Sequence, residues 1–209
     1  MIHRLMIGLL ACVAIALSTF PQAHAQPFPN KPITIIVPFA AGGPTDIVAR
    51  VIAERFTSSL GQRVIIENAP GAAGTTGMTR AARAGADGYT LLMGPMSTMS
   101  FSPTVYPNLP VHAIKSFDPV GIVASAPIVL VAQKGLPGTM KDFVAHLKAN
   151  ASKMQNGNAG IGSTSHLACV LLNSRFGVTP AVVPYKGTAP ALADMLTGQV
   201  HYLCDQSTS

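Results

Sequence analysis

Chemistry in this sequence is confined to a few short stretches. The first is Pro38-Phe39-Ala40-Ala41-Gly42-Gly43-Pro44-Thr45-Asp46, which directly follows the β-branched run Ile33-Thr34-Ile35-Ile36-Val37. A glycine pair between a buried strand and a helix start leaves backbone N–H groups unshielded by Cβ atoms. The helix dipole adds positive potential at the same place. The amides of Gly42 and Gly43 would hold a carboxylate, directly or through water, with Phe39 against its carbon skeleton. The plainer reading is a helix entry capped by Thr45 or Asp46. For Asp46 capping is the better fit, because its own charge opposes a nearby anion. The second stretch is Gly162-Ser163-Thr164-Ser165-His166. A nucleophile there would need a G-x-S-x-G frame and an acidic partner for His166, and the sequence nominates neither. Hydroxyls at a helix start serve as caps and as ligand donors. Tyr185-Lys186-Gly187 sets a phenol and an ammonium on a loop, where a solvated lysine is an equally plain explanation. Asp205 ends an apolar run and could accept from a ligand hydroxyl or amine.

The elements that must carry these groups alternate regularly. Residues 33–37 read as a buried parallel strand that stops at Pro38, which has no N–H for a ladder. In the helix that follows, Ile47, Val48, Val51, Ile52 and Phe56 recur on one face, with Arg50 and Glu54 turned away. Residues 64–66 form a second strand. It leads into a glycine loop, with Gly71, Gly74 and Thr75, that opens an alanine-rich helix. That loop contains neither G-x-G-x-x-G nor a G-K-[ST] ending, so nucleotide binding is not supported. A third strand spans residues 89–93, and its loop, residues 94–100 with Ser97, joins the other two at one sheet edge. Pro103, Pro107 and Pro110 then break regular structure, and strands are predicted at residues 120–123 and 128–131. Thr139 with Asp142 makes a capping-box pattern. Beyond it the plan repeats: strand 156–159, helix 166–176, strand 181–183, a helix with Pro190 in its first turn, and strand 200–204. The predicted architecture is α/β. A first lobe covers residues 26–124, a second covers residues 125–209, and a ligand cleft lies between them.

Composition narrows the function further. Charged residues make up 11% of the 209 positions, the net charge is +6, and hydrophobic residues reach 48%. No dense Lys/Arg run exists, so a nucleic-acid surface is not indicated. His3 and Arg4 precede an apolar run over residues 5–17, and Ala23-His24-Ala25 matches an A-x-A cleavage site. This predicts a signal peptide cut after Ala25 and export from the cytoplasm. The alternative is a lipoprotein box ending at Cys12. In the mature chain Cys169 and Cys204 are expected as two buried thiols rather than a pair. No C-x-x-C supports zinc or thioredoxin-like chemistry, and no metal or redox cofactor is implied.

Taken in order, PITIIVPFAAGGPTDIVAR, VIIENAPGAAGTTG, GYTLLMG, GIGSTSHLA and VPYKGTAPALADMLTGQVHYLCD resemble the extracytoplasmic solute-binding receptors of tripartite tricarboxylate transporters, the TctC or Bug family. The resemblance implies a type II periplasmic-binding-protein fold: two lobes joined by crossing strands that close over a carboxylated metabolite. It further implies a monomeric periplasmic receptor that passes a small organic acid to membrane transporter subunits and is not an enzyme. Residues 38–46 and 71–75 would cradle one carboxylate, while residues 163–166, residues 185–187 and Asp205 would supply ligand-dependent contacts. Members of that family run longer at the C-terminal end. The expectation is therefore of a truncated chain with incomplete lobes, exposed apolar surface, and weak stability or binding on its own. Two alternatives accompany it: a non-functional fragment or sensor-type interaction protein of the same fold, and an exported hydrolase using Ser163 or Ser165 with His166.

Overall fold

The computed structural model describes residues 27–209. The export signal over residues 1–25 and the lipoprotein alternative at Cys12 lie outside the described residues. Lys31–Ser209 forms one compact unit, and the architecture that follows is that of this unit.

The apolar run at its start becomes β1 (Ile33–Val37), the central strand of a parallel sheet. β2 (Val64–Asn68) flanks it on one side and β3 (Thr90–Leu92) on the other. A central strand is covered on both faces, which explains why Ile33, Ile35, Ile36 and Val37 are all buried. Parallel neighbours need crossovers, here supplied by α1 (Pro44–Leu60) and α2 (Thr75–Ala82). α1 does not present the predicted face. Pro44, Asp46, Ala49 and Ala53 are its buried residues, whereas Ile47 and Val51 point outward. Positions 46, 49 and 53 share one helical stripe, and their short side chains let the helix lie close on Ile35 and Val37. α1 stops at Gly61, whose left-handed φ of 65° lets its N–H donate back to the Thr57 carbonyl.

After β3 a π-helical turn over Ser97–Phe101 runs into α3 (Ser102–Val105). The strand predicted at residues 120–123 does not form. Among the described residues no neighbouring strand pairs with it, and Val120 and Ile122 stand 82% and 96% exposed. β4 (Ile128–Ala132) then opens the second sheet, whose order is β4, β7 (Tyr202–Gln206), β5 (Gln155–Asn158) and β6 (Ala181–Pro184). β7, β5 and β6 are parallel; β4 runs antiparallel to β7, so this sheet is mixed at one edge rather than wholly parallel. α4 (Met140–Asn150), α5 (Thr164–Phe176) and α6 (Thr188–Leu196) connect its strands. The capping pattern before α4 forms: Thr139 Oγ1 accepts from the Asp142 N–H at 3.2 Å and donates to Asp142 Oδ2 at 2.7 Å.

The larger core lies under α4 and α5, where Phe143, Leu147, Met154, Val178 and Tyr202 pack together. Tyr202 meets Phe143 edge-on with ring centres 5.4 Å apart, and its hydroxyl donates to Asn173 Oδ1 at 2.7 Å. Two cysteines complete this cluster, and they are not free thiols. Cys169 of α5 and Cys204 of β7 form a disulfide with Cα atoms 5.6 Å apart. A separation of 35 residues hid the pairing; packing α5 across β7 creates it.

Candidate functional site

The two sheets direct the ends of β1, β5, β6 and β7 toward one cleft with an empty volume of about 410 Å³. From the first half it is lined by Phe39, Gly43, Pro44, Thr45, Pro95 and Ser97. From the second come Ile128, Ala159, Ser163, Thr164, Ser165, Thr188, Asp205 and Gln206. Three helices begin here, α1 at Gly43, α5 at Ser163 and α6 at Gly187. Their positive dipole ends therefore share one opening. The N–H groups of Gly43, Thr45, Thr164 and Ser165 have no hydrogen-bond partner among the described residues. Among the described residues no Lys or Arg lines the cleft, and Asp205 is the one ionisable wall residue.

The loop of residues 39–43 is held from beneath. Asp46 is 2% exposed and takes three hydrogen bonds: the Gly42 N–H and Arg50 Nε donate to Oδ2 at 2.9 and 2.8 Å, and Asn68 Nδ2 donates to Oδ1 at 2.9 Å. Asn68 Nδ2 also reaches the Phe39 carbonyl at 3.0 Å. Burial alone would raise the Asp46 carboxyl, but the bonds from Arg50, Gly42 and Asn68 outweigh it and hold the group below its ordinary value. This corrects the capping expectation. The N-cap of α1 is Gly43, with no side-chain cap. Asp46 instead reaches back and occupies the Gly42 amide, so Gly43 and Thr45 carry the free N–H groups.

Of the other residues predicted for the site, Phe39, Gly43, Thr45, Ser97, Ser163, Thr164, Ser165 and Asp205 line the cleft, and the remainder do not. Ala41 is exposed. Gly71, Gly74 and Thr75 lie away from it: a Cβ on Gly74, whose φ is 95°, would fall 2.2 Å from Thr98 Oγ1. Gly162 packs on Val105, and its N–H donates to His166 Nδ1 at 3.2 Å. Ser163 Oγ caps α5 by accepting the His166 N–H, and Ser165 Oγ accepts the Ala159 N–H at 2.8 Å. The imidazole therefore serves the Gly162 amide rather than a serine hydroxyl. Tyr185 turns its hydroxyl to Asp194 at 2.6 Å, and burial followed by that carboxylate pushes its pKa up to about 12. Lys186 is exposed, but its carbonyl accepts the Ala40 N–H at 3.0 Å.

That last bond joins the two halves. A Cβ on Gly187 would stand 3.0 Å from Ala40 N, and one on Gly160 would stand 3.6 Å from Ala73 N. Across the same seam the Tyr106 hydroxyl donates to the Ile161 carbonyl at 2.7 Å. Replacing Tyr106 with Phe removes one bridging bond, a change of about 0.5–1.5 kcal/mol. If closure is coupled to ligand capture, affinity in the Tyr106→Phe variant should fall about three- to tenfold with little change in melting temperature. Calorimetric titration would detect this, and unchanged affinity would rule the bridge out of the closing equilibrium.

Sequence reasoning missed Pro44, Pro95, Ile128, Ala159, Thr188 and Gln206. Thr188 was within reach, since it follows Gly187 at a helix start already marked by Pro190. Ile128 and Gln206 become neighbours only through the antiparallel β4–β7 pairing. Thr188 is 4% exposed, with its hydroxyl beside the Asp205 carboxylate. Asp205 is 2% exposed, with Oδ1 accepting the Gln206 N–H at 2.8 Å and Oδ2 accepting the Ser209 hydroxyl. Burial raises its pKa, opposed by hydrogen bonds from the Ser209 hydroxyl, the Gln206 N–H and the Thr188 hydroxyl.

Two α/β halves whose loops meet over a cleft walled by helix N-termini are the fold of periplasmic binding proteins. Solved structures agree. The chain is 42% identical to the periplasmic binding protein BugD, with a TM-score of 0.83, covering 87% of this chain and 61% of that one. It is 40% identical to MatC of Rhodopseudomonas palustris, solved with bound malate, with a TM-score of 0.80 and coverage of 86% and 61%. The UPF0065 protein in the TAR-I ttuE-ttuC' intergenic region of Agrobacterium vitis is 42% identical over 189 residues, or 90% of this chain and 54% of the relative. The chain thus spans little more than half the length of that relative. The model of the tripartite tricarboxylate transporter family receptor, TctC, matches residues 48–208, and the chain belongs to that family. The family and these neighbours are solute-binding proteins, not enzymes.

Proposed function

We propose that this chain is a periplasmic receptor that captures a small organic acid, of di- or tricarboxylate or acidic amino-acid type, for the membrane subunits of a tripartite tricarboxylate transporter. The observation that carries the reading is the convergence of three helix N-termini on one cleft whose amides at Gly43, Thr45, Thr164 and Ser165 lack partners among the described residues. Such donors stabilise a carboxylate without a fixed cation. The malate bound by MatC is of the same chemical class. Residues 26–124 and 125–209 act as the two lobes, and the ligand favours the closed arrangement by contacting both.

A thermal-shift and calorimetric panel of succinate, malate, citrate, glutamate and benzoate on the 209-residue chain tests this. A raised melting temperature with a saturable heat for at least one aliphatic acid is expected. Silence across the panel, from a chain that melts cooperatively, would end the proposal. Substituting Gly43 by Pro, which removes the N–H at the α1 N-cap, should abolish any binding seen.

A further inference from the structure

We propose that His166 is a positioning residue for the second half of the cleft. Its neutral ring holds the Gly162 amide, and a proton on that ring releases the loop that presents Thr164 and Ser165. Ligand capture therefore weakens in mild acid. This role rests on the carboxylate reading above and gives it a pH dependence.

The turn over residues 160–163 serves two places at once. It leads into α5, where Ser163, Thr164 and Ser165 line the cleft. It also meets the other half of the molecule: the Ile161 carbonyl accepts the Tyr106 hydroxyl, and Gly162 lies against Val105. Two left-handed glycines, Gly160 and Gly162, let the turn form but bring no side chain to fix it. Neighbouring side chains fix it instead. Asn158 Oδ1 accepts the Gly160 N–H at 2.9 Å, and His166 Nδ1 accepts the Gly162 N–H at 3.2 Å. Among the described residues the imidazole is the one acceptor that the Gly162 N–H has.

Only a neutral imidazole, with its proton on Nε2, can accept at Nδ1. An imidazolium would turn an N–H toward the Gly162 N–H, at a helix start whose dipole already disfavours positive charge. Burial by itself lowers the His166 pKa, and no charged group contributes. The neighbouring elements fit that. β5 brings no titratable side chain; β7 brings Tyr202, with a pKa pushed up to about 12, and Asp205 in the cleft wall. His201, just before β7, accepts the Gln155 N–H at the opposite end of β5. α4 reaches α5 through Lys148, over the Phe176 ring at the far end of the helix. The other half brings the Tyr106 phenol, whose pKa burial raises. Asp205 and His201 titrate in acid on their own account, so the test compares variants at each pH.

Amide hydrogen exchange by NMR, and calorimetric titration with the tightest-binding acid of the panel, are carried out between about pH 7.5 and about pH 5. Protection of the Gly162 amide should fall with pH in wild type. His166→Asn sets an oxygen where Nδ1 stands and does not titrate. It should keep the neutral-pH affinity within about threefold and hold Gly162 protection constant. Wild-type affinity should match it above the ordinary histidine value near about 6.5, then fall about tenfold further than that of His166→Asn by about pH 5. His166→Ala, which offers no acceptor, should bind about tenfold more weakly already at neutral pH. Melts establish that both variants are folded. A pH slope as steep in folded His166→Asn as in wild type would overturn the role and leave the carboxylate receptor standing. Wild-type Gly162 protection that ignores pH would overturn it too. Silence across the panel would overturn both readings.

Discussion

Reduction of the Cys169–Cys204 disulfide is expected to remove about 4 kcal/mol of stability. That is the chain-entropy estimate for a loop of 35 residues. The bond restricts the unfolded chain, so its loss acts mainly by giving that chain more conformations. The melting temperature should fall by roughly 8–16 °C for a chain of this size. Melts in the presence and absence of reductant, and of a Cys169→Ala/Cys204→Ala double variant, would measure this. A difference under about 3 °C would show that the packed cluster of Phe143, Leu147 and Tyr202 holds α5 on β7 unaided. A functional consequence follows from the same geometry. The disulfide ties α5, which brings Ser163 and Ser165 to the cleft, to β7, which brings Asp205. Ligand affinity should therefore drop on reduction even at temperatures where the chain stays folded. An oxidising periplasm keeps such a bond formed.

The second large effect concerns Asp46. Its replacement by Ala should cost about 3 kcal/mol, because the Gly42 N–H loses its acceptor and Asn68 keeps only its bond to the Phe39 carbonyl. Ligand binding should weaken at least about tenfold, since Phe39 and Gly43 line the cleft from the loop that Asp46 anchors. Unaltered binding in a folded Asp46→Ala variant would refute that anchoring role. The pH dependence has a definite sign. The folded carboxyl sits below its ordinary value. Its contribution is therefore complete above the usual aspartate range near about 3.9 and disappears as pH falls through the folded value. The stability gap between wild type and Asp46→Asn should be flat from neutral pH to about 5 and close in more acidic solution. Asp205 behaves oppositely. Its folded carboxyl is raised, so its ionisation takes stability away as pH climbs from the ordinary value through the folded one. Separate titrations of Asp46→Asn and Asp205→Asn would resolve the two slopes.

How legible the cleft was depended on how local each of its parts is. Residues 33–46 announced a strand, a stop and a helix entry because β-branching, proline and glycine act within a few residues. The hydroxyl run at Ser163, Thr164 and Ser165 announced a helix start for the same reason. The inner face of α1 was misread because apolar size was taken as the measure of burial, whereas close approach to β1 selects Ala49 and Ala53. The strand predicted at residues 120–123 had the right composition, but a strand exists only through a partner.

Local chemistry written into the chain was thus sufficient for the α/β alternation, the strand–glycine–helix entry to α1 and the family. Each of these depends on neighbours in sequence or on motif order. Folding alone decided that Cys169 meets Cys204, that Asp46 occupies the Gly42 amide, and that Thr188 faces the cleft beside Asp205. Those are relations between atoms set by strand order and by the packing of helices on sheets, and no pattern of spacing along the chain encodes them.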